Sequence, residues 1–453
     1  MDIKKSALLV ATVGSFLTPF MSSSVNIALP SIGREFSIDA VILSWVPTIY
    51  LLSAAMFLVP FGRIGDIYGR KKVFTYGIYI YTLSSFLVAL SPSILFLLFF
   101  RILQGVGSAM IFGTAVAILT SVFPLQERGK VIGINVASVY SGLSLGPSLS
   151  GLLTQYWGWR SIFLINVPFG IVVAILIHLR LPGEWAGSPG EKCDIPGSII
   201  YGLALVITMF GISLLPSRTA FLILSIGLLT GLLFIVWETR THAPVLNMNL
   251  FKRNITFTFS NLAALINYSA THATGFLMSL YLQYIRELAP QEAGLVLVCQ
   301  PGAMVIVSPF AGRLSDKIEP RIVASFGLIL TALALFSFTL LEETTPLFFV
   351  IARLALLGTG LSFFSSPNTN AIMSSVDKRF YGVASAMVGT MRLMGQMVSM
   401  GMATIMIAVY VGKVEIIPGY YGVFLESVHA IFGVFVVLSI VGILASLTRG
   451  KMR

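Results

Sequence analysis

The sequence contains few charged residues, few cysteines and few histidines. Only 10% of its 453 residues are Asp, Glu, Lys or Arg, whereas soluble domains contain about 25%. This composition excludes a water-soluble globular protein. Cys193 and Cys299 are the two cysteines and lie far apart, so they support neither a disulfide framework nor a cysteine-based metal site. The four histidines are scattered as well, and no metal site is expected.

Hydrophobic residues make up 56% of the chain and form fourteen apolar runs. Each run is about 20 residues long, which is the length of a helix that crosses a hydrocarbon core of about 30 Å. The first run, predicted at 7–30, follows Lys4 and Lys5 as in a signal peptide, but no small-residue cleavage site ends it, so we expect a mature helix. The sequence therefore predicts an all-α polytopic membrane protein embedded in a lipid bilayer.

The basic residues predict how the chain is oriented. The net charge is +11, and most of the Lys and Arg residues fall in connections on one side of the apolar runs. Because cytoplasmic loops carry an excess of Lys and Arg, we expect a multi-pass protein of the cytoplasmic (plasma) membrane with both termini in the cytoplasm. This placement in short loops between apolar helices also argues against nucleic acid as a partner.

An internal repeat divides the chain into related halves. The segment 61–72 is similar to the segment 311–321. In the same way, Arg101 and the glycines that follow it correspond to Arg353 and the glycines that follow it. Six apolar runs precede residue 181, six follow residue 254 and two lie between. We predict an N-terminal six-helix bundle at 1–180, a linker with two inserted helices at 181–254 and a C-terminal six-helix bundle at 255–453. Parallel halves favour a central cavity that opens alternately to each side.

Three motifs lie within the first half. One is the loop after the second helix, and the next is in the fourth helix, where Arg101 precedes Gln104 and two glycines. The last is a series of glycines with a proline in the fifth helix, a pattern that gives a closely packed helix face with a bend. The loop motif includes Gly62, Asp66, Gly69 and Arg70, and the fifth-helix motif includes Gly142, Gly146, Pro147 and Gly151.

Together these motifs resemble the major facilitator superfamily and, within it, the fourteen-span drug:proton antiporter branch, over essentially the whole chain. The resemblance implies the major facilitator fold with 6 + 2 + 6 helices. It also implies a secondary transporter of the multidrug-efflux type, which exports amphipathic small molecules by alternating access and proton-coupled antiport.

The resemblance further implies roles for the motifs. Asp66 and Arg70 would form a conformational latch that breaks when the cytoplasmic side opens, Arg101 would line the cavity, and the fifth helix would be the antiporter helix. Two structural alternatives stay open. Arg101 would then bond to neighbouring groups to hold helices together, and the glycines would serve generic helix packing.

The sequence departs from this branch in the first helix, where Met21 takes the place of the usual Asp ahead of Asn26. All 18 acidic residues fall in loops, at termini or at helix ends. Carboxylates within the membrane normally carry the exchanged proton, so proton coupling would need another group. His272 is one candidate, and an ordinary hydrogen-bonding histidine is the alternative.

Three arginines lie at membrane depth, and they make the predicted cavity positive. This charge favours an anionic, zwitterionic or neutral amphipathic substrate over a hydrophobic dication. Two asparagines on apolar helices are further cavity candidates. The predicted cavity and coupling residues are Asn26, Arg101, Gln104, Asn267, His272, Arg353 and Arg392.

Two other classes of function compete with proton-coupled export. A membrane-embedded enzyme is disfavoured because the sequence offers no converging nucleophile, acid pair or metal cluster. An uncoupled facilitator, or a carrier of an anionic or neutral metabolite that lost the first-helix acid, stays open. No nucleotide-binding loop of the Gly-x4-Gly-Lys-Ser/Thr kind is present. We expect a monomer that needs no cofactor and uses the proton gradient.

Overall fold

The computed structural model describes residues 3–187, 190–191, 193–215, 217–241, 244–246, 251, 254–376, 381–412, 414 and 416–450. Within these ranges the regular structure is helical throughout, which confirms the predicted all-α class. The fourteen spans are α1 (Ile3–Phe36), α2 (Ala40–Tyr68), α3 (Arg70–Ala89), α4 (Ile94–Val122), α5 (Leu125–Trp157), α6 (Ser161–Leu164 and Asn166–Arg180), α7 (Ile195–Ser213), α8 (Arg218–Arg240), α9 (Ile255–Thr271, Ala273–Leu280 and the π-helical turn Tyr281–Ile285), α10 (Pro290–Leu297 and Cys299–Lys317), α11 (Pro320–Phe338), α12 (Leu347–Ser374), α13 (Tyr381–Tyr410) and α14 (Tyr421–Thr448).

Length and hydropathy alone mark most of these helices as membrane-spanning. Eleven candidate spans meet both criteria in the described part of the chain. The other three helices, α3, α5 and α9, lie in the same bundle, where α3 packs on α4, α5 on α1 and α9 on α13. Residues 3 and 450 lie on the same side of an even number of spans, and we call that side the inner side.

The two groups of six helices use the same pairings. In the first group α1 packs on α5, α2 on α4 and α3 on α4, and in the second α9 packs on α13, α10 on α12 and α11 on α12. The first outer connection of each group contains a non-glycine residue in the left-handed region, Ser37 (φ 48°) and Glu287 (φ 52°). The left-handed conformation costs a non-glycine residue roughly 1–2 kcal/mol. Both connections therefore contain a strained residue at the corresponding turn. The boundaries at 180/181 and 254/255 stay a prediction.

Hydrogen bonds join the two groups in the outer half of the molecule. The Ser279 hydroxyl donates to the Asn26 carbonyl at 2.6 Å, and the Gln283 amide donates to the Ile27 carbonyl at 3.0 Å. On the opposite flank, the hydroxyls of Ser44 and Thr404 are 2.9 Å apart. These bonds close the outer side between α1 and α9 and between α2 and α13.

Glycines bring α5 and α10 close together toward the outer side. A Cβ added to Gly151 would lie 2.6 Å from the Pro290 carbonyl oxygen, and a Cβ on Gly294 would collide with the carbonyl of Pro147. Gly133 lies about five turns earlier on the same face of α5, and nothing lies within 4 Å of its added Cβ, nor of one on Gly302 of α10. These two positions, nearer the inner side, are therefore open.

The inserted helices α7 and α8 cover the seam between α2 and α13. The Tyr201 hydroxyl donates to the Ala55 carbonyl of α2 at 3.1 Å, and Gly202 leaves room for Met56. On the other flank, Gly401 of α13 packs against Met209 of α7. The helix α7 thus contacts both groups of six along one seam, and α8 packs on α7.

We predict that Gly294→Val prevents the outer ends of α5 and α10 from closing, because any side chain there meets the Pro147 carbonyl. Spin labels at Gln155 and Glu292 should report a longer distance in this variant. Gly302→Val is the matched control, since its position on the same helix is open in this conformation. An unchanged distance in Gly294→Val would show that the glycine contact does not hold the outer side closed.

Candidate functional site

Arg392 of α13 projects between the two groups of helices. Its guanidinium carbon lies 5.1 Å from the ring centroid of Phe112 of α4, which is a cation–π contact across the interface. The side chain is half-buried. In the described part of the chain, no carboxylate lies within ion-pair distance of Arg392. This charge is therefore left with an aromatic partner in place of an anionic one.

Aromatic and polar side chains from both groups surround Arg392. The Arg392 guanidinium lies near enough to Tyr140 of α5 and to His272 of α9 for an electrostatic interaction with each. The Tyr140 hydroxyl lies near Tyr268 and close to the buried Ser365 hydroxyl. We call Phe112, Tyr140, Tyr268, His272, Ser365 and Arg392 the central cluster. It combines one cation, aromatic faces and hydroxyl groups.

The described acidic residues lie away from the central cluster, as the sequence predicts. Met21 is fully buried at the position of the missing acid. Asp39 caps α2 through its bond to Ile42 N at 2.8 Å, and Glu238 lies in the last turn of α8. The ion pairs of the described residues are all near helix ends: Lys4–Glu127, Arg63–Glu191, Arg70–Asp66 and Arg160–Glu35.

Arg101 and Gln104 are fully buried within the first group of helices. Arg101 donates to Gln104 at 2.6 Å and to the Val46 carbonyl at 3.2 Å, and its guanidinium lies 4.3 Å from the Tyr50 ring centroid. Gln104 in turn donates to Ser85 of α3 at 2.7 Å. In this conformation the network ties α4 to α2 and α3, as in the structural alternative for Arg101.

The remaining cavity candidates are spread over the molecule. Asn26 lies at the α1–α9 contact, where its amide nitrogen would be 3.3 Å from a Cβ on Gly275. Asn267 is fully buried in α9, and neither of its side-chain polar atoms has a partner. Arg353 is half-buried on α12 and interacts electrostatically with Tyr281 of α9. Of the seven predicted residues, the central cluster contains His272 and Arg392.

The loop motif forms an ion pair inside the first group. Arg70 pairs with Asp66 at 2.6 Å and also donates to the Ala117 carbonyl and the Ser121 hydroxyl of α4. The predicted latch pair is thus formed in this conformation, and these partners all belong to the first six helices. Its role as a conformational latch stays a prediction.

A segment that the sequence did not single out covers this motif. Glu184 accepts hydrogen bonds from Lys71 N at 2.8 Å and Lys72 N at 3.1 Å at the start of α3, which an acid at a helix N-terminus favours. Gly187 packs against Arg70 and leaves no room for a Cβ. Gly69 itself has φ 120°, a backbone that suits glycine. In the sequence, the signal for this cap is an acidic residue, Glu184, soon after the end of α6.

The predicted antiporter helix uses its glycines at two contacts. Gly142 and Gly146 let α5 approach α1, where an added Cβ on Gly142 would meet the Phe16 carbonyl. Pro147 and Gly151 face α10, as described above. Gly62, by contrast, has the Gly113 carbonyl 3.9 Å from its added Cβ, an ordinary contact.

Comparison with known proteins decides the family. The profile described as Major Facilitator Superfamily matches residues 11–260 and 260–451. The chain belongs to the major facilitator superfamily. The fold of this major facilitator protein matches a bacterial homolog of the human lysosomal transporter Spinster in an inward-facing conformation, with TM-score 0.71, 17% identity and coverage of 99% and 98% of the two chains.

Several relatives of this major facilitator protein are transporters. The riboflavin transporter RibZ of Clostridioides difficile is 31% identical, with 86% of each chain covered. The multidrug resistance protein Stp of Mycobacterium tuberculosis is 30% identical over 85% of this chain and 73% of its own. The tetracenomycin C resistance and export protein of Streptomyces glaucescens is 27% identical over 90% and 76%. The protein is a membrane transporter and not an enzyme.

We predict that Arg101→Leu lowers thermal stability strongly, by about 3 kcal/mol, because it leaves the buried partners of a charged network without bonds. Arg101→Lys should not rescue it, since an ammonium cannot reproduce the planar guanidinium contacts. The unfolding midpoint of purified protein measures this, with the exposed Arg218→Leu as control. Equal midpoints for Arg101→Leu and Arg218→Leu would contradict a helix-joining role.

Proposed function

We propose that this protein exports neutral or anionic amphipathic aromatic molecules by alternating access, as a member of the fourteen-span drug:proton antiporter branch. The observation that carries the proposal is Arg392, a cation at the interface of the two groups of helices with Phe112 as its contact. The other residues of the central cluster supply two phenols, an aliphatic hydroxyl and an imidazole. An aromatic ring with an anionic or carbonyl oxygen matches this set of groups.

Charge favours this substrate class over a cation. A cationic drug would face Arg392 with no carboxylate nearby among the described residues, and like charges repel more strongly in a partly dry site. An anionic group would instead form a charge-assisted hydrogen bond with the guanidinium. Phe112, Tyr140 and Tyr268 provide the surface for a planar ring.

The relatives support the same class. One is named as a riboflavin transporter, and two others are named for multidrug resistance and for tetracenomycin C resistance and export. We propose the outward direction that the tetracenomycin C protein is named for, from the cytoplasm across the cytoplasmic membrane, by a monomer with both termini in the cytoplasm. The gap between α5 and α10 on the inner side is where cargo would enter.

Coupling to a proton gradient is part of the proposal. His272 is the titratable imidazole closest to Arg392 in the central cluster, so a proton there and an anion beside Arg392 would act on each other. The second candidate function is an uncoupled facilitator, which the fully buried Met21 favours because it removes the usual proton carrier.

We predict that Arg392→Gln weakens binding of an anionic aromatic dye by about 10- to 100-fold, the loss expected for one charge-assisted hydrogen bond. Binding of riboflavin should fall less, and binding of a lipophilic cation should not fall at all. Fluorescence titration of purified protein measures all three, and Arg180→Gln, at an exposed arginine, is the control. Equal affinities of wild type and Arg392→Gln for the anion would remove Arg392 from the site.

We also predict that an imposed pH gradient accelerates substrate flux in proteoliposomes and that His272→Gln abolishes the acceleration while keeping downhill flux. Flux that ignores the gradient in the wild-type protein would instead establish the facilitator. A gradient response that survives in His272→Gln would assign coupling to another group.

A further inference from the structure

Two carboxyl groups are buried together at the inner end of the inserted helices. Asp194 is the N-cap of α7 and is 7% exposed, and Glu238 lies in the last turn of α8 and is 3% exposed. A methyl group on Gly197 would collide with a carboxylate oxygen of each. Both acids therefore face the same small space, which we call the carboxyl pair. It lies outside the central cluster.

The two acids have unequal hydrogen bonds. Asp194 Oδ1 accepts from Gly197 N at 2.9 Å, and its Oδ2 accepts from the Trp237 indole nitrogen at 2.9 Å. The start of α7 adds the positive end of a helix dipole. Glu238 Oε2 accepts from Leu246 N at 2.8 Å, but Oε1 is buried and has no partner. The bonds thus suit a charged Asp194 and leave one oxygen of Glu238 unsatisfied.

No neighbouring cation in the described residues neutralises the carboxyl pair. Arg63 of α2 is engaged with Glu191, and its charge reaches Cys193 just before Asp194. Arg240 follows Glu238 on α8 and is exposed. Neither forms an ion pair with Asp194 or Glu238. Two carboxylates with little water and no cation between them cannot both stay charged at low cost.

We propose that the carboxyl pair is a proton-binding site, in which Glu238 holds one proton on Oε1. Proton binding converts the Glu238 carboxylate to a carboxylic acid, so Oε1 gains a donor hydrogen directed at the space it shares with Asp194. The unsatisfied buried atom and the repulsion between the two acids are both removed. This site supplies a titratable acid in a transporter that has none in the described part of its central cluster.

The carboxyl pair is placed to act on the connection to the second group of helices. Leu246, whose N–H bonds to Glu238, packs on the hydrophobic cluster around Tyr201 and Met209 and also on the one around Phe257 and Met387. Loss of the proton would set two negative charges against each other beside this connection. Proton binding would then favour the arrangement seen here.

Infrared spectroscopy of the purified full-length protein tests the proposal. Wild type should show a protonated carboxyl band at neutral pH, and Glu238→Gln should lose it while Glu292→Gln, at an exposed acid, keeps it. A band of the same size in wild type and Glu238→Gln, or its absence from wild type, would overturn the assignment.

Asp194→Asn provides a second test that does not depend on the folding of Glu238→Gln. Burial of Glu238 persists in this variant, but removing the neighbouring charge favours its ionisation, so the band should weaken at neutral pH. The wild-type unfolding midpoint should also fall as the pH rises and the native proton is lost, and this fall should flatten in Asp194→Asn. An unchanged band and an unchanged pH dependence in Asp194→Asn would show that the two acids do not share a site.

Discussion

The cost of placing a charge inside a bilayer-spanning bundle governs this structure. A buried arginine must find hydrogen-bond acceptors or an aqueous cavity, and the arginines here divide accordingly. Arg101 donates to Val46 and Gln104, and Arg449 donates to Asn368, Ser260 and the Pro320 carbonyl. Arg392 contacts the Phe112 ring and lies between the two groups of helices. The same chemical group therefore joins helices at Arg101 and Arg449 and faces an aromatic ring at Arg392.

Close backbone contact is the second constraint, and it sets where the molecule can open. Without a hydrophobic driving force between helices in lipid, association relies on small residues that let backbones approach. Gly151 and Gly294 provide this between α5 and α10 on the outer side, and the open positions at Gly133 and Gly302 mark where the same helices part. The inserted helices close the seam between α2 and α13, so the α5–α10 flank lacks their cover.

Several local expectations met a tertiary context that the sequence does not show. The first helix was expected to end at Pro30 but continues to Phe36, because a proline on a tightly packed helix is accommodated by its neighbours. Arg101 was expected to line the cavity, and the network with Gln104 and Ser85 instead buries it. Glu184 and Gly187 were not singled out at all, since a loop acid becomes a helix cap only when folding brings it beside the start of α3.

The apolar runs, the excess of basic residues on one side and the repeated motifs determined by themselves that this chain is a polytopic helical protein with two related halves. They also identified the absence of acids at the centre, because hydrocarbon tolerates few charges and each one is visible in the sequence. Tertiary structure alone decided which arginine contacts an aromatic ring between the two groups of helices, which side is closed and that Asp194 and Glu238 meet. Those outcomes depend on contacts between residues far apart in the chain, and helical periodicity carries no information about such contacts.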